Sequence, residues 1–230
     1  MLLLLASCAT LPAVNTSEPD VLVSNVPRWQ QEYSELARDG QVYRLDSSGS
    51  VVRIYAFRSG AGARLGHNHV LNAPQFTGWA YLPQEQVADA RFDLEFRLDS
   101  LKLDDPEERA RLGEAFASTP SSGALQRTRE HMLGADNLDA ERFPFLRIHS
   151  LQVKGELPKL AVKVQVELHG QLHEMWLPLD VSRTEGQLQV RGAMVLRQSD
   201  FGVRPYSVLG GFLAVQDELV IEFSLLGVSQ

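Results

Sequence analysis

Leu160-Ala161-Val162-Lys163-Val164-Gln165-Val166-Glu167-Leu168 alternates large apolar side chains with small or polar ones from end to end. In an extended chain successive side chains point to opposite faces, so Leu160, Val162, Val164, Val166 and Leu168 share one face. One dry face and one wet face is the pattern of a half-buried strand in an antiparallel sheet. The same reading applies outward in both directions. Phe92, Leu94, Phe96 and Leu98 alternate with Asp93, Glu95 and Arg97, which are assigned to the wet face. Leu188, Val190, Met194 and Leu196 follow the same period, as do Leu219, Ile221, Phe223 and Leu225. Short turns at His169-Gly170-Gln171 and Glu185-Gly186-Gln187 join neighbours as hairpins. About eight such strands leave costly open edges unless the sheet closes on itself. The expected fold is therefore mainly β, a closed antiparallel barrel of about eight strands with an apolar inner face.

Two departures from period two are helical. Trp29, Tyr33 and Leu36 recur at helical spacing after Pro27, and Gly40 can stop the helix, so a short N-terminal helix over 27–40 packs outside the main fold. A helical insertion at about 104–142 interrupts the strands. Asp105, Pro106, Glu107 and Glu108 supply an N-cap, a first-turn proline and first-turn carboxylates. Leu112, Ala115 and Phe116 form the apolar stripe of that helix; Ser122 caps a second, which carries Leu125, Met132 and Leu133 and ends at Gly134.

The N-terminus addresses the chain. Met1-Leu2-Leu3-Leu4-Leu5-Ala6-Ser7-Cys8 is an apolar run closed by the only cysteine. It resembles a bacterial lipobox, in which the cysteine is acylated and becomes the mature N-terminus. Residues 1–7 are then a lipoprotein signal segment, 8–26 a tether, and 41–230 one barrel domain. Ala9, rather than Asp, follows Cys8. This points to the outer membrane of a bacterial envelope, with the lipid-anchored domain facing the periplasm. The excess of 29 acidic over 22 basic side chains excludes a phosphate-binding footprint for nucleic acid.

Four stretches taken in order resemble the YceI family of bacterial envelope proteins. They are VYRLD (42–46), LQRTREHMLGADNLDAERFPFLRIHSLQV (125–153), VQVELHGQLHEMWLPL (164–179) and SDFGVRPYSVLGGFLAVQDELVIEFSL (199–225). Within the second, Arg129, His131, Met132, Asp136, Asp139, Phe143, Pro144 and Ile148 carry the likeness. The resemblance implies a lipocalin- or streptavidin-like barrel whose interior holds a polyisoprenoid or another long-chain lipid. Two stretches depart from the family pattern: the Gly-rich run ending in His67-Asn68-His69, and Leu172-His173-Glu174.

The candidate lipid-pocket lining is Phe92, Leu94, Phe96, Leu146, Ile148, Val164 and Leu168. The bland alternative is that these residues fill a solid core. Candidate head-group residues are Arg64, His67 and His69, with the two imidazoles aimed at one spot if the segment is extended. The same pair could begin a metal site, with a third ligand from His131, His149 or His173, but no recognised ligand spacing supports one and none is assigned. No enzyme is expected: there is no G-x-S-x-G, no phosphate-cradling loop with its lysine, and the lone cysteine is taken. The leading expectation is an envelope lipoprotein that binds, sequesters or carries a long-chain lipid such as a polyisoprenoid or isoprenoid quinone. Its partners are then a hydrophobic small molecule and the membrane reached through the anchor, with a homodimer left open and no cofactor beyond bound lipid. Two alternatives stand: a packed barrel acting as a structural or interaction protein, and a His-based metal- or redox-linked protein.

Overall fold

The computed structural model describes residues 22–84 and 86–230. The lipobox, Cys8 and most of the tether lie outside the described residues. Helix α1 (Val26–Leu36) is followed by the long strand β1 (Gly40–Ser59), then β2 (His69–Asn72), β3 (Phe76–Pro83), β4 (Arg91–Arg97) and the short β5 (Lys102–Leu103). The insertion holds α2 (Pro106–Arg111) and α3 (Ser122–Leu133). Strands β6 (Phe145–Glu156), β7 (Lys159–Leu168), β8 (Gln171–Thr184), β9 (Gln187–Arg197), the short β10 (Ser207–Val208) and β11 (Leu213–Ser229) complete the chain.

The strands run β11-β9-β8-β7-β6-β4-β3-β1, and β1 then pairs with β11, so eight antiparallel strands close a barrel. The closing register runs from Tyr43 opposite Ser229 to Ser59 opposite Ala214. Strand β7 buries Leu160, Val162, Val164, Val166 and Leu168 in strict alternation. The turn into β8 places His169 at φ 53° and Gly170 at φ 70°. Positive φ at both central residues matches the right-handed twist of a two-residue hairpin. At Gly192 a Cβ would lie 2.6 Å from the Phe223 ring, so the glycine gives that inward ring its space.

The helices sit outside the barrel wall and across one end. Trp29 and Tyr33 of α1 pack on Val42, Trp79 and Tyr81, with the Tyr33 and Trp79 rings stacked at 6.2 Å. Asp105 caps α2 through the backbone N–H groups of Glu107 and Glu108, as the sequence predicts. For α3 the cap is Ser121, one residue before the expected Ser122, and Gly134 ends the helix as expected. Phe116 packs outside the wall with Tyr55 and Val70. Met132 and Leu133 of α3 pack on the barrel core. Arg129 ties that helix to the Leu98–Leu101 turn by donating to the carbonyls of Asp99 and Leu101.

The assignment of Asp93 and Glu95 to a wet face is corrected by the fold. Both point outward, yet they are 3% and 6% exposed, because α1 and the residues just before it cover this part of the wall. Tyr33 Oη donates to Asp93 (2.9 Å), and His149 Nδ1 meets the other oxygen (2.6 Å). That hydrogen bond holds the His149 pKa above its ordinary value against the opposing effect of burial. Glu95 accepts from Ser24 Oγ (2.5 Å), Asn25 N (2.9 Å) and Arg147 Nε (2.9 Å). Arg147 also donates to Glu167 (3.0 Å) and to the Val23 carbonyl (2.6 Å). Burial of Asp93 and Glu95 is tolerable because their oxygens are hydrogen-bonded. Period-two reasoning finds which face a side chain takes; it does not show what later packs on that face.

The two faces of β4 therefore predict three different outcomes in urea denaturation. Leu94→Asp should prevent folding, because it puts an unpaired charge in the interior. Glu95→Ala should cost about 3 kcal/mol by leaving Arg147 underpaired and releasing residues 23–25. Arg97→Ala, on the exposed end of the strand, should stay within about 0.5 kcal/mol. Equal effects at positions 95 and 97 would contradict the covered outer face.

Candidate functional site

The barrel interior is not solid. A cavity of about 150 Å³ lies among residues that include Phe92, Leu94, Phe96, Leu160, Val162, Leu177 and Phe223. A second, of about 590 Å³, lies toward the end covered by α3. Ile54, Leu98, Leu101, Leu146 and Ile221 line both, so the two adjoin along one apolar wall. Together they fall within the roughly 300–1,000 Å³ typical of a pocket for one small molecule. The first cavity is almost wholly apolar. Arg91 is among its lining residues, but the guanidinium lies over the Tyr33 ring on the outer side, 5.5 Å from the ring centre, with Nε buried and without a hydrogen-bond partner among the described residues.

The second cavity has a polar mouth. His69, Arg127, Thr128, His131, Asn137, Gln198 and Tyr206 line it, and among the described residues no Asp or Glu does. Arg127 forms no ion pair among the described residues, and His131 meets the Tyr206 ring edge-on at 4.7 Å. His69 is fixed from behind. Its Nδ1 lies 2.5 Å from Oδ2 of Asp104, whose side chain is 0% exposed. The other Asp104 oxygen accepts from Val70 N (3.0 Å) and from Arg109 Nη1 (2.5 Å). Burial acts to raise the Asp104 pKa, but the hydrogen bonds from His69, Val70 and Arg109 outweigh it and hold the carboxyl below its ordinary range. An ionised Asp104 only accepts, so His69 Nδ1 carries the proton and Nε2 is the ring's free polar atom.

His67 belongs to the same network from outside the cavity. Arg109 Nη2 donates to Ser118 Oγ (3.1 Å), which lies 2.9 Å from His67 Nδ1. Burial, then the positive fields of His69 and Arg109, push the His67 pKa down. The two rings are 6.5 Å apart. Among the described residues no group of three or more His, Cys, Asp or Glu is placed to hold a metal ion.

The sequence-level candidates separate on this geometry. Phe92, Leu94, Phe96, Leu146 and Ile148 line the first cavity, and Leu146 and Leu168 line the second. Val164 is 0% exposed and lines neither cavity. Among the head-group candidates only His69 reaches a cavity. Arg64 is exposed on the turn before β2, and His67 lines neither space. Sequence reading missed Arg127, Tyr206 and the Asp104–Arg109 pair. The i, i+1, i+4 spacing of Arg127, Thr128 and His131 was a usable signal for one helix face; Tyr206, in a loop, carried none.

The depressed Asp104 pKa sets an acid dependence. Its contribution to stability is complete above the unfolded carboxyl value of about 3.9 and is lost as pH falls through the lower folded value. Thermal midpoints between pH 7 and pH 2 should fall less steeply for Asp104→Asn than for the unmodified chain. At pH 7 the variant should be less stable by about 3 kcal/mol, because buried Arg109 loses its counter-charge. An unchanged acid slope would contradict the ionised network.

Comparison with known proteins follows this geometry. The YceI-like domain family model matches residues 43–226. Among solved structures the chain is similar to Burkholderia cenocepacia BcnA, with a TM-score of 0.59 and 16% identity over 79% of this chain and 98% of that one. It is also similar to a protein from Saccharophagus degradans described as a polyisoprenoid binding domain implicated in plant cell wall breakdown. There the TM-score is 0.53, with 11% identity over 82% of this chain and 98% of that one. No curated protein sequence matches. At these identities the solved structures share a fold with this chain and nothing finer. The family match runs from within β1 to within β11, and the chain belongs to the YceI-like domain family.

Proposed function

We propose that the barrel binds one long-chain lipid, such as a polyisoprenoid or isoprenoid quinone, with its chain in the interior and its polar end beneath α3. The observation that carries this reading is the pair of adjoining cavities, the first almost wholly apolar and the second lined toward α3 by polar side chains. Each methylene removed from water contributes about 0.8 kcal/mol, so an apolar tunnel supplies affinity without many specific contacts. A few polar groups at one end then set orientation. Arg127, which forms no ion pair among the described residues, suits a head group rich in hydrogen-bond acceptors or carrying negative charge, and His69, held by Asp104 through Nδ1, offers Nε2 as an acceptor to a head-group hydroxyl. Family membership and the polyisoprenoid-binding description of the Saccharophagus protein support the reading. The protein acts in it as a carrier or store, with no chemistry on the ligand. The reading extends to a bacterial envelope lipoprotein anchored through Cys8 to the outer membrane and facing the periplasm.

Protein purified without detergent should show a lipid-sized mass increment in a native mass spectrum. Ile221→Trp, placed where the two cavities adjoin, should abolish that increment, whereas outward-facing Val195→Trp should keep it. With the lipid removed, Ile221→Trp should melt close to the unmodified chain, because the added ring enters empty space. Overpacking a solid core costs about 1–3 kcal/mol, so a large drop in stability with no lipid in any sample would contradict the proposal. The anchor is tested separately: radioactive fatty acid should label the unmodified chain and not Cys8→Ser. Label retained by the variant would remove the lipoprotein part of the reading.

A further inference from the structure

Beside Tyr206, which lines the second cavity, the fold leaves a group of apolar side chains in solvent. Leu209 is 79% exposed, Leu65 72%, Phe212 42% and Tyr206 39%. They come from two segments held together. Gly62 N donates to the Phe212 carbonyl (2.7 Å), and a Cβ at Gly62 would lie 2.3 Å from the Phe212 ring, so the ring rests on that glycine. Through Tyr206 this rim adjoins the second cavity. Single exposed apolar residues are ordinary, but several grouped beside a cavity form a patch.

Three further observations point to what covers this patch. Leu209 has φ 52°, in the left-handed region that a bulky L-residue rarely adopts. The backbone is strained there while a large apolar side chain faces water, so folding alone gives no return for the arrangement. The charge is selective too. The chain carries a net charge of −7, yet segments 60–66 and 204–212 contain Arg64 and Arg204 and no Asp or Glu. Neither arginine forms an ion pair among the described residues, and both are exposed. Finally, the described chain begins at this same end. Val23, Ser24 and Asn25 are held by Glu95 and Arg147, close to the end of β4 that leads into the Leu98–Leu101 turn lining the second cavity. The described chain thus enters the fold toward this end of the barrel.

We propose that this rim docks on an anionic bilayer surface, with Leu65, Leu209 and Phe212 entering the interface and Arg64 and Arg204 meeting the head groups. The cavity then opens onto the membrane, and an apolar ligand passes between bilayer and barrel without crossing water. The inference rests on the lipid-carrier reading and names the surface that serves it.

Cys8 is the only cysteine, so the Cys8→Ser chain accepts a single environment-sensitive fluorophore at an added cysteine. Leu209→Cys places it on the rim; Glu185→Cys places it in the β8–β9 turn at the opposite end. Added to vesicles of phosphatidylethanolamine and phosphatidylglycerol, the label at 209 should shift to the blue and be quenched by lipid-borne spin labels. The label at 185 should not change, and Leu65→Asp should reduce the response at 209. Equal responses at both positions, or none at 209, would overturn the proposal. So would a change at 209 that follows protein concentration without vesicles, which would make the rim a contact between two copies. Native mass spectra of the same labelled samples report lipid in the barrel independently. Bound lipid without docking would overturn the membrane surface alone; docking with an empty barrel would overturn the carrier reading.

Discussion

The pairing of β1 with β11 is the constraint on which the rest of the structure depends. It joins the ends of the eight-strand array and gives every inward face one shared interior. An open sheet of these strands would leave two long edges and no enclosed space. Once closed, the interior has a width set by strand number, and side chains fill it only if their volumes match. Here they match in the middle of β7, where Val164 and Val166 are fully buried, and fall short along the wall shared by Ile54, Leu98, Leu101, Leu146 and Ile221. The hollow is a consequence of closure together with particular side-chain sizes.

Two buried ionic networks then fix what surrounds the barrel. On the outer wall Glu95 and Arg147 hold the residues that lead into α1, and Asp93 holds Tyr33 and His149. At the cavity end Asp104 joins His69, Val70 and Arg109. Buried charges of this kind are weak evidence for net stability, since a well-packed apolar substitute often does as well. Their effect is geometric. One network sets where the N-terminal segment meets the wall, and the other holds an imidazole at the edge of an apolar space.

Much of the fold was legible because period two is a local property. The alternation in β4, β7, β9 and β11 identified inward residues without knowledge of any partner, and helical spacing found Trp29 and Tyr33. What the sequence left unread depends on contacts between distant segments. Asp93 and Glu95 looked solvated because nothing in β4 announces a helix some 60 residues earlier lying on it. Inward orientation at Val164 does not by itself distinguish packed from empty interior. Of the His67/His69 pair only His69 faces the cavity, since the strand begins at His69 and His67 turns toward Ser118. The mouth itself combines α3, the β2 edge and the loop at Tyr206, three segments that become neighbours only after closure.

The central claim is that the space inside the barrel is a ligand pocket. A crystal structure of the protein isolated from its native membranes, without added lipid or detergent, tests it most directly. The account predicts one elongated feature of density running past Ile54, Leu146 and Ile221 through both cavities, with its polar end within hydrogen-bond reach of His69 or Arg127. Inward side chains repacked to fill the same space, with only water or nothing at the mouth, would contradict it.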